Sequence, residues 1–118
     1  MATTDYSLRV LIGYVGVDSG QLMVCDPSYI TGEFGSDEFQ PDKPNEAGKY
    51  PFTYNGACGA TLSDDRAGEL GTATGVAFSS GLGDGVYPVY ATIVDDEFWG
   101  KRIAKVEIVM MDTESDEI

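Results

Sequence analysis

Apolar and polar residues alternate along most of this chain, and a period of two predicts strands. Leu8, Val10, Ile12 and Tyr14 alternate with Arg9, Leu11 and Gly13, a strand with both faces partly buried. Asp18-Ser19-Gly20 interrupts the pattern and Gln21 to Cys25 resumes it, so the two runs read as a first hairpin. Asp26-Pro27 ends the second run, because proline cannot donate to a ladder. Tyr50 to Tyr54 and Ala57 to Leu62 flank Asn55-Gly56, the dipeptide of a type I′ turn, and predict a second hairpin. Ser63-Asp64-Asp65-Arg66 allows one helical turn, and Gly68 and Gly71 stop anything longer. Leu70 to Ser79, Val86 to Val94 and Arg102 to Met111 supply the remaining strands, with Pro88 marking an edge or a bulge in the second of them.

Residues 31–49 break the pattern. Two prolines, three glycines and five acids show no regular period there, which predicts a long acidic loop pinned by Phe34 and Phe39. About seven strands and almost no helix predict an all-β fold, a small barrel or a two-layer β sandwich. With 118 residues there is room for one domain, placed at 1–111, followed by a disordered acidic tail at 112–118. The uncharged apolar stretches reach only about ten residues, too short to span a bilayer, so no membrane association is expected. The first residues, Met1 to Asp5, lack the basic and apolar regions of a signal peptide, which favours a cytoplasmic protein, in a host cytoplasm if viral.

The charge changes the picture. Twenty acids face seven bases, a net charge of −13, and there is no histidine. Triads built on histidine, His-based metal sites and a four-thiolate zinc site are therefore excluded; the chain has only two cysteines, Cys25 and Cys58. Both thiols sit in apolar runs and are expected buried and reduced. Direct binding to nucleic-acid phosphates is disfavoured. Three readings of the acidity remain open: solubility or adaptation to a salty cytoplasm, steering of a basic protein partner, and mimicry of a nucleic-acid backbone.

Few residues carry candidate chemistry. Gly81-Leu82-Gly83-Asp84-Gly85 resembles a dinucleotide fingerprint only in its glycines, since a strand with proline follows where a helix must begin. It reads as a hairpin loop, or as a loop whose amides meet a ligand. Asp64-Asp65 and Asp95-Asp96-Glu97 lack calcium-loop spacing, so no metal and no cofactor is expected. Asp18, Asp26 and Asp84 each stand at a strand end beside glycine or proline. Such aspartates either hold turns or, if they converge near Tyr87, line an acidic cleft, with Gly83 and Gly85 supplying backbone. Phe98 and Trp99 follow the acids Asp95, Asp96 and Glu97. They either fold back on the core or stand out as an interface anchor ringed by charge.

Val15-Gly16-Val17-Asp18-Ser19-Gly20, Asp26-Pro27-Ser28-Tyr29, Gly83 to Tyr90 and Ile103-Ala104-Lys105-Val106 together resemble a family of small uncharacterised β-rich proteins of bacterial and phage genomes. The matching blocks cover 13–30 and 75–109. Family members often carry cysteine after Asp-Pro, where this chain has Ser28 and instead places Cys25 before the aspartate. The resemblance implies a compact β domain and a phage or mobile-element origin, and no activity. The expected function is that of a non-catalytic acidic accessory protein that binds a basic protein or a small ligand, such as an inhibitor of host factors. The alternatives are a carboxylate-based enzyme or ligand binder using Asp18, Asp26 and Asp84, and a capsid-decorating virion protein.

Overall fold

The computed structural model describes residues 4–30, 34 and 38–111. The expected acidic tail at 112–118 lies outside the described residues. The expected all-β class holds: the protein is 47% strand and 12% helical, in two small antiparallel sheets, and no closed barrel forms among the described residues. The order is β1 (Thr4–Val17), β2 (Gln21–Cys25), α1 (Tyr54–Thr61), β3 (Ala67–Leu70), β4 (Gly75–Ser79), β5 (Gly85–Asp96) and β6 (Gly100–Ile108). The chain divides into two compact units. The first holds β1, β5 and β6, and the second is an insertion running from Asp18 to Asp84.

In the first unit β5 is the central strand, antiparallel to β1 from Val17–Gly85 outward and to β6 from Val89–Ile108 to Asp96–Gly100. Pro88 is therefore not on an edge strand. It lies one pair away from a bulge in β1, where Ile12 is left over between the pairs Leu11–Tyr90 and Gly13–Val89. Strand alternation sorts the side chains cleanly. One face carries Arg9, Tyr90 and Glu107, with Arg9 Nε donating to Glu107 Oε1 at 2.9 Å and its guanidinium 3.9 Å from the Tyr90 ring centroid. The arginine holds the Glu107 carboxyl below its usual range. The other face is apolar from Leu8 to Ile108.

The predicted hairpin of β1 with β2 does not form: β1 pairs with β5 and β2 pairs with β4. A strand of 14 residues gains far more ladder from the 12-residue β5 than from a five-residue neighbour. The run Leu70 to Ser79 is likewise two strands, β3 and β4, folded into a hairpin at Gly71–Thr74. The stretch from Ser63 to Arg66 forms turns, not a helical turn.

The insertion is a sheet of order β2-β4-β3 with α1 packed on one face. Met23, Ala77, Gly68 and Leu70 share that face, and Ala57 and Ala60 of α1 close on them to make the core with Tyr50 and Phe52. The hairpin expected around Asn55-Gly56 is this helix. Thr53, in extended backbone, caps it by accepting the Gly56 amide at 3.0 Å, which starts a helix where a turn was expected. Asn55 serves the long loop: its Oδ1 accepts the Gln40 amide at 2.8 Å and its Nδ2 donates to the Glu38 carbonyl. Phe34 meets Phe52 edge-on at 4.8 Å between ring centroids, as the pinning role requires, whereas Phe39 is exposed.

Both cysteines are free thiols. Cys58 is buried, but on the helix and not in a strand, and accepts a long contact from Gln21 Nε2 at 3.5 Å. Its nearness raises the Tyr54 hydroxyl above the usual range. Cys25 is only half-buried, because it is the last residue of β2.

Glu69 ties the insertion together. Its carboxylate accepts from the Lys49 ammonium of the loop and from the Ala73 amide in the β3–β4 turn. Ala73 sits at φ +56, a conformation that costs an alanine on the order of 1 kcal/mol, so the bond fixes a turn the backbone disfavours. These bonds to Lys49 and Ala73 lower the Glu69 pKa below 4.5. A depressed carboxylate stabilises the fold above its unfolded pKa and loses that contribution as pH falls through the folded value. Acid should therefore loosen the β3–β4 turn, and Glu69→Gln should remove that part of the pH dependence. Urea midpoints measured from neutral to acid pH check this, and parallel curves for the two proteins would refute it.

Candidate functional site

The β5–β6 turn builds the most exposed aromatic feature of the described chain. Asp96 pairs with Gly100, leaving Glu97, Phe98 and Trp99 as a three-residue loop. Gly100 takes φ +76 to send the chain back, a conformation that only glycine adopts without strain. Asp96 Oδ1 accepts both the Phe98 amide at 2.7 Å and the Trp99 amide at 2.8 Å. Two hydrogen bonds to one carboxylate oxygen fix the loop before any partner arrives. The rings do not fold back on a core: Phe98 is 72% exposed and Trp99 67%. Asp95 and Glu97 complete an acidic rim, with Lys101 opposite Asp95 in the ladder.

Of the three carboxylates expected to converge, Asp18 and Asp84 stand at neighbouring turns and Asp26 stands apart. Asp18 precedes β2 and Asp26 follows it, so a five-residue strand, roughly 16 Å long, runs between them. Asp26 holds a turn: its Oδ1 accepts the Ser28 amide at 2.9 Å, capping the short 3-10 turn Pro27–Tyr29. That bond lowers its pKa. Asp84 lies close to Gly20, where a Cβ would stand 4.0 Å from its Oδ1, and so keeps company with the Asp18 turn. Asp18 and Asp84 are the first and last residues of the insertion and are both exposed. Gly83, at φ +102, belongs to a tight loop in which Ser80 Oγ donates to the Gly83 carbonyl at 2.9 Å. Tyr87 is buried in the long sheet, on the face it shares with Gly85, and its ring lies 3.5–3.8 Å from where a Gly85 Cβ would stand, an ordinary contact.

Two hollows open in the insertion, and neither is lined by those aspartates. One of about 280 Å³ is bordered by Lys43, Asn45, Lys49, Tyr50 and Thr72, and a second of about 140 Å³ by Gln21, Met23, Phe34 and Tyr54. The first gathers two of the four lysines, which the acidic reading of the 31–49 loop passed over. The sequence signal was there, since both lysines stand within seven residues of that loop. Among the described residues no group of three or more Cys, Asp or Glu is placed to hold a metal ion. No described helix is long and apolar enough to cross a membrane.

No family model, curated protein or solved structure matches this chain. Function must be argued from the geometry.

Proposed function

We propose that the chain is a non-catalytic binding protein whose β5–β6 turn anchors a basic protein partner. The observation that carries this reading is the exposed Phe98–Trp99 pair, on a loop whose backbone is fixed by two hydrogen bonds to Asp96 and rimmed by acids. Adjacent exposed aromatics are costly to leave in water, and a loop already fixed forfeits little entropy on binding. Aromatic anchors inside a charged rim are the usual composition of a binding hot spot. The net charge of −13 steers a basic surface towards the turn, and Asp95, Asp96 and Glu97 orient it.

Trp99 is the only tryptophan, so its emission reports on the site directly. Titration with a peptide rich in arginine, lysine and leucine should shift that emission to the blue. Phe98→Ala should weaken binding about thirtyfold, the ordinary loss of a hot-spot residue. Raising salt from about 50 to about 500 mM should weaken it further, because the rim charges are exposed. Binding that ignores both the substitution and the salt would sink the proposal.

A further inference from the structure

We infer that Asn55-Gly56 is a modification site, which loses its side-chain amide when the neighbouring loop lifts and thereafter keeps that loop from docking again. Asparagine is a thermolabile side chain, most of all before glycine, where no Cβ shields the following nitrogen. The Gly56 nitrogen attacks the side-chain carbonyl carbon of Asn55, and a five-membered ring closes as the bond to Nδ2 breaks. The Gly56 amide proton passes through water to the leaving nitrogen, which departs as ammonia. Water then opens the ring, on one side to aspartate and on the other to isoaspartate. Nothing is oxidised or reduced, and water is the only co-reactant.

The helix cap and the docked loop together occupy every group this reaction needs. Gly56 N donates to Thr53 Oγ1 at 3.0 Å, which ties up the proton that must leave. Asn55 Oδ1 accepts the Gln40 amide at 2.8 Å, and Nδ2 donates to the Glu38 carbonyl at 3.1 Å. While both bonds stand, the side chain cannot turn to Gly56. Ring closure would also take Asn55 out of the helical backbone of α1. Packing keeps the hazard in place: a Cβ on Gly56 would stand 1.8 Å from the Pro51 carbonyl oxygen, so no bulkier residue can shield the nitrogen. Asn45, the other asparagine of the chain, is the contrast. It precedes Glu46, and its Oδ1 accepts the Ala47 and Lys49 amides, a role a carboxylate fills as well.

At position 55 the product cannot restore the contact. Where Nδ2 donated, a carboxylate sets an oxygen against the Glu38 carbonyl, two acceptors with no proton between them. The new charge also joins Glu38 and Asp42 on the same loop. Isoaspartate adds a methylene to the backbone in the first turn of α1. A reversible opening of the loop is thereby recorded as a covalent change. The site lies wholly in the insertion and does not depend on the binding role proposed for the Phe98–Trp99 turn.

Peptide mapping by mass spectrometry tests this on the full chain held at mildly alkaline pH. Asn55 should deamidate at least about tenfold faster in urea than in the folded protein, the factor that a single hydrogen bond at the upper end of its range supplies. Gly59→Ala, which pushes Asp42 off the helix without touching Asn55, should speed the reaction in buffer. Should that variant fail to fold, Gln40→Pro removes only the amide held by Asn55 Oδ1 and should act alike. Asn55→Asp makes the product directly. Its Gln40 and Asp42 amides should exchange hydrogen at least about tenfold faster than the parent's, and those of Asn45→Asp should not. Equal deamidation rates in urea and in buffer overturn the inference, as does a folded-state rate that the loop variants leave unchanged. So does an Asn55→Asp protein whose loop amides exchange like the parent's, or no faster than those of Asn45→Asp.

Discussion

Gly59→Ala is expected to destabilise the protein by about 3 kcal/mol, although glycine to alanine inside a helix ordinarily stabilises by about 1 kcal/mol. The sign reverses because the long loop lies against this turn of α1. A Cβ built on Gly59 falls 1.9 Å from the Asp42 carbonyl oxygen and 2.9 Å from its carbon, and backbone cannot swing aside as a side chain can. The loop would have to leave, taking with it the Asp42 amide bond to the Asn55 carbonyl and the Gln40 amide bond to Asn55 Oδ1. Urea unfolding of Gly59→Ala measures the loss. The background Asn55→Ala supplies the control: with the loop already loosened, the second substitution should cost less than it does alone. A Gly59→Ala protein more stable than the parent would mean that the loop does not pack there.

The same glycines explain where the sequence misled. Tyr54 to Thr61 holds two glycines, a threonine and an asparagine in eight residues, so its propensity argues against helix. What makes it helical is tertiary. Small residues let the loop approach on one side and the β2-β4-β3 sheet on the other, through Ala57 and Ala60. Asn-Gly signals a turn only when nothing caps the residue before it, and Thr53 does. Strand positions in the long sheet were legible because the residues around Val10, Ala91 and Val106 keep a period of two between the bulges. Pairing was not, since periodicity marks which residues are strands and carries no information on which strand each one meets. The site divides the same way. Phe98 and Trp99 were legible as an aromatic pair beside three acids, and only their exposure in the structure shows that they face out. Asp18 and Asp26 looked like neighbours, but a strand between two residues is also a rod that keeps them apart.

Leu70→Ala is expected to cost the insertion 2 to 5 kcal/mol, roughly, and also to loosen a ladder elsewhere in the chain. Leu70 is fully buried among Ala57, Ala60 and Ala77, and small neighbours cannot collapse far into the space it leaves. The wider effect follows from connectivity. The chain leaves the long sheet after Val17 and returns at Gly85, and these two residues are paired. While the insertion is folded its two ends are held together, and β1 meets β5 as if across a short turn. Once it unfolds, the same pairing must close a loop of 67 flexible residues, at about 4 kcal/mol of chain entropy. The β5–β6 hairpin closes through only three residues and bears no such cost. Hydrogen exchange followed by mass spectrometry should therefore show β1 amides exchanging at least about thirtyfold faster in Leu70→Ala, the factor that 2 kcal/mol implies. The β5–β6 ladder amides should change less. If β1 exchanged at the parent rate while the insertion opened, the long sheet would be stable without its closed end, and the insertion would be a passenger on the hairpin instead of its clasp.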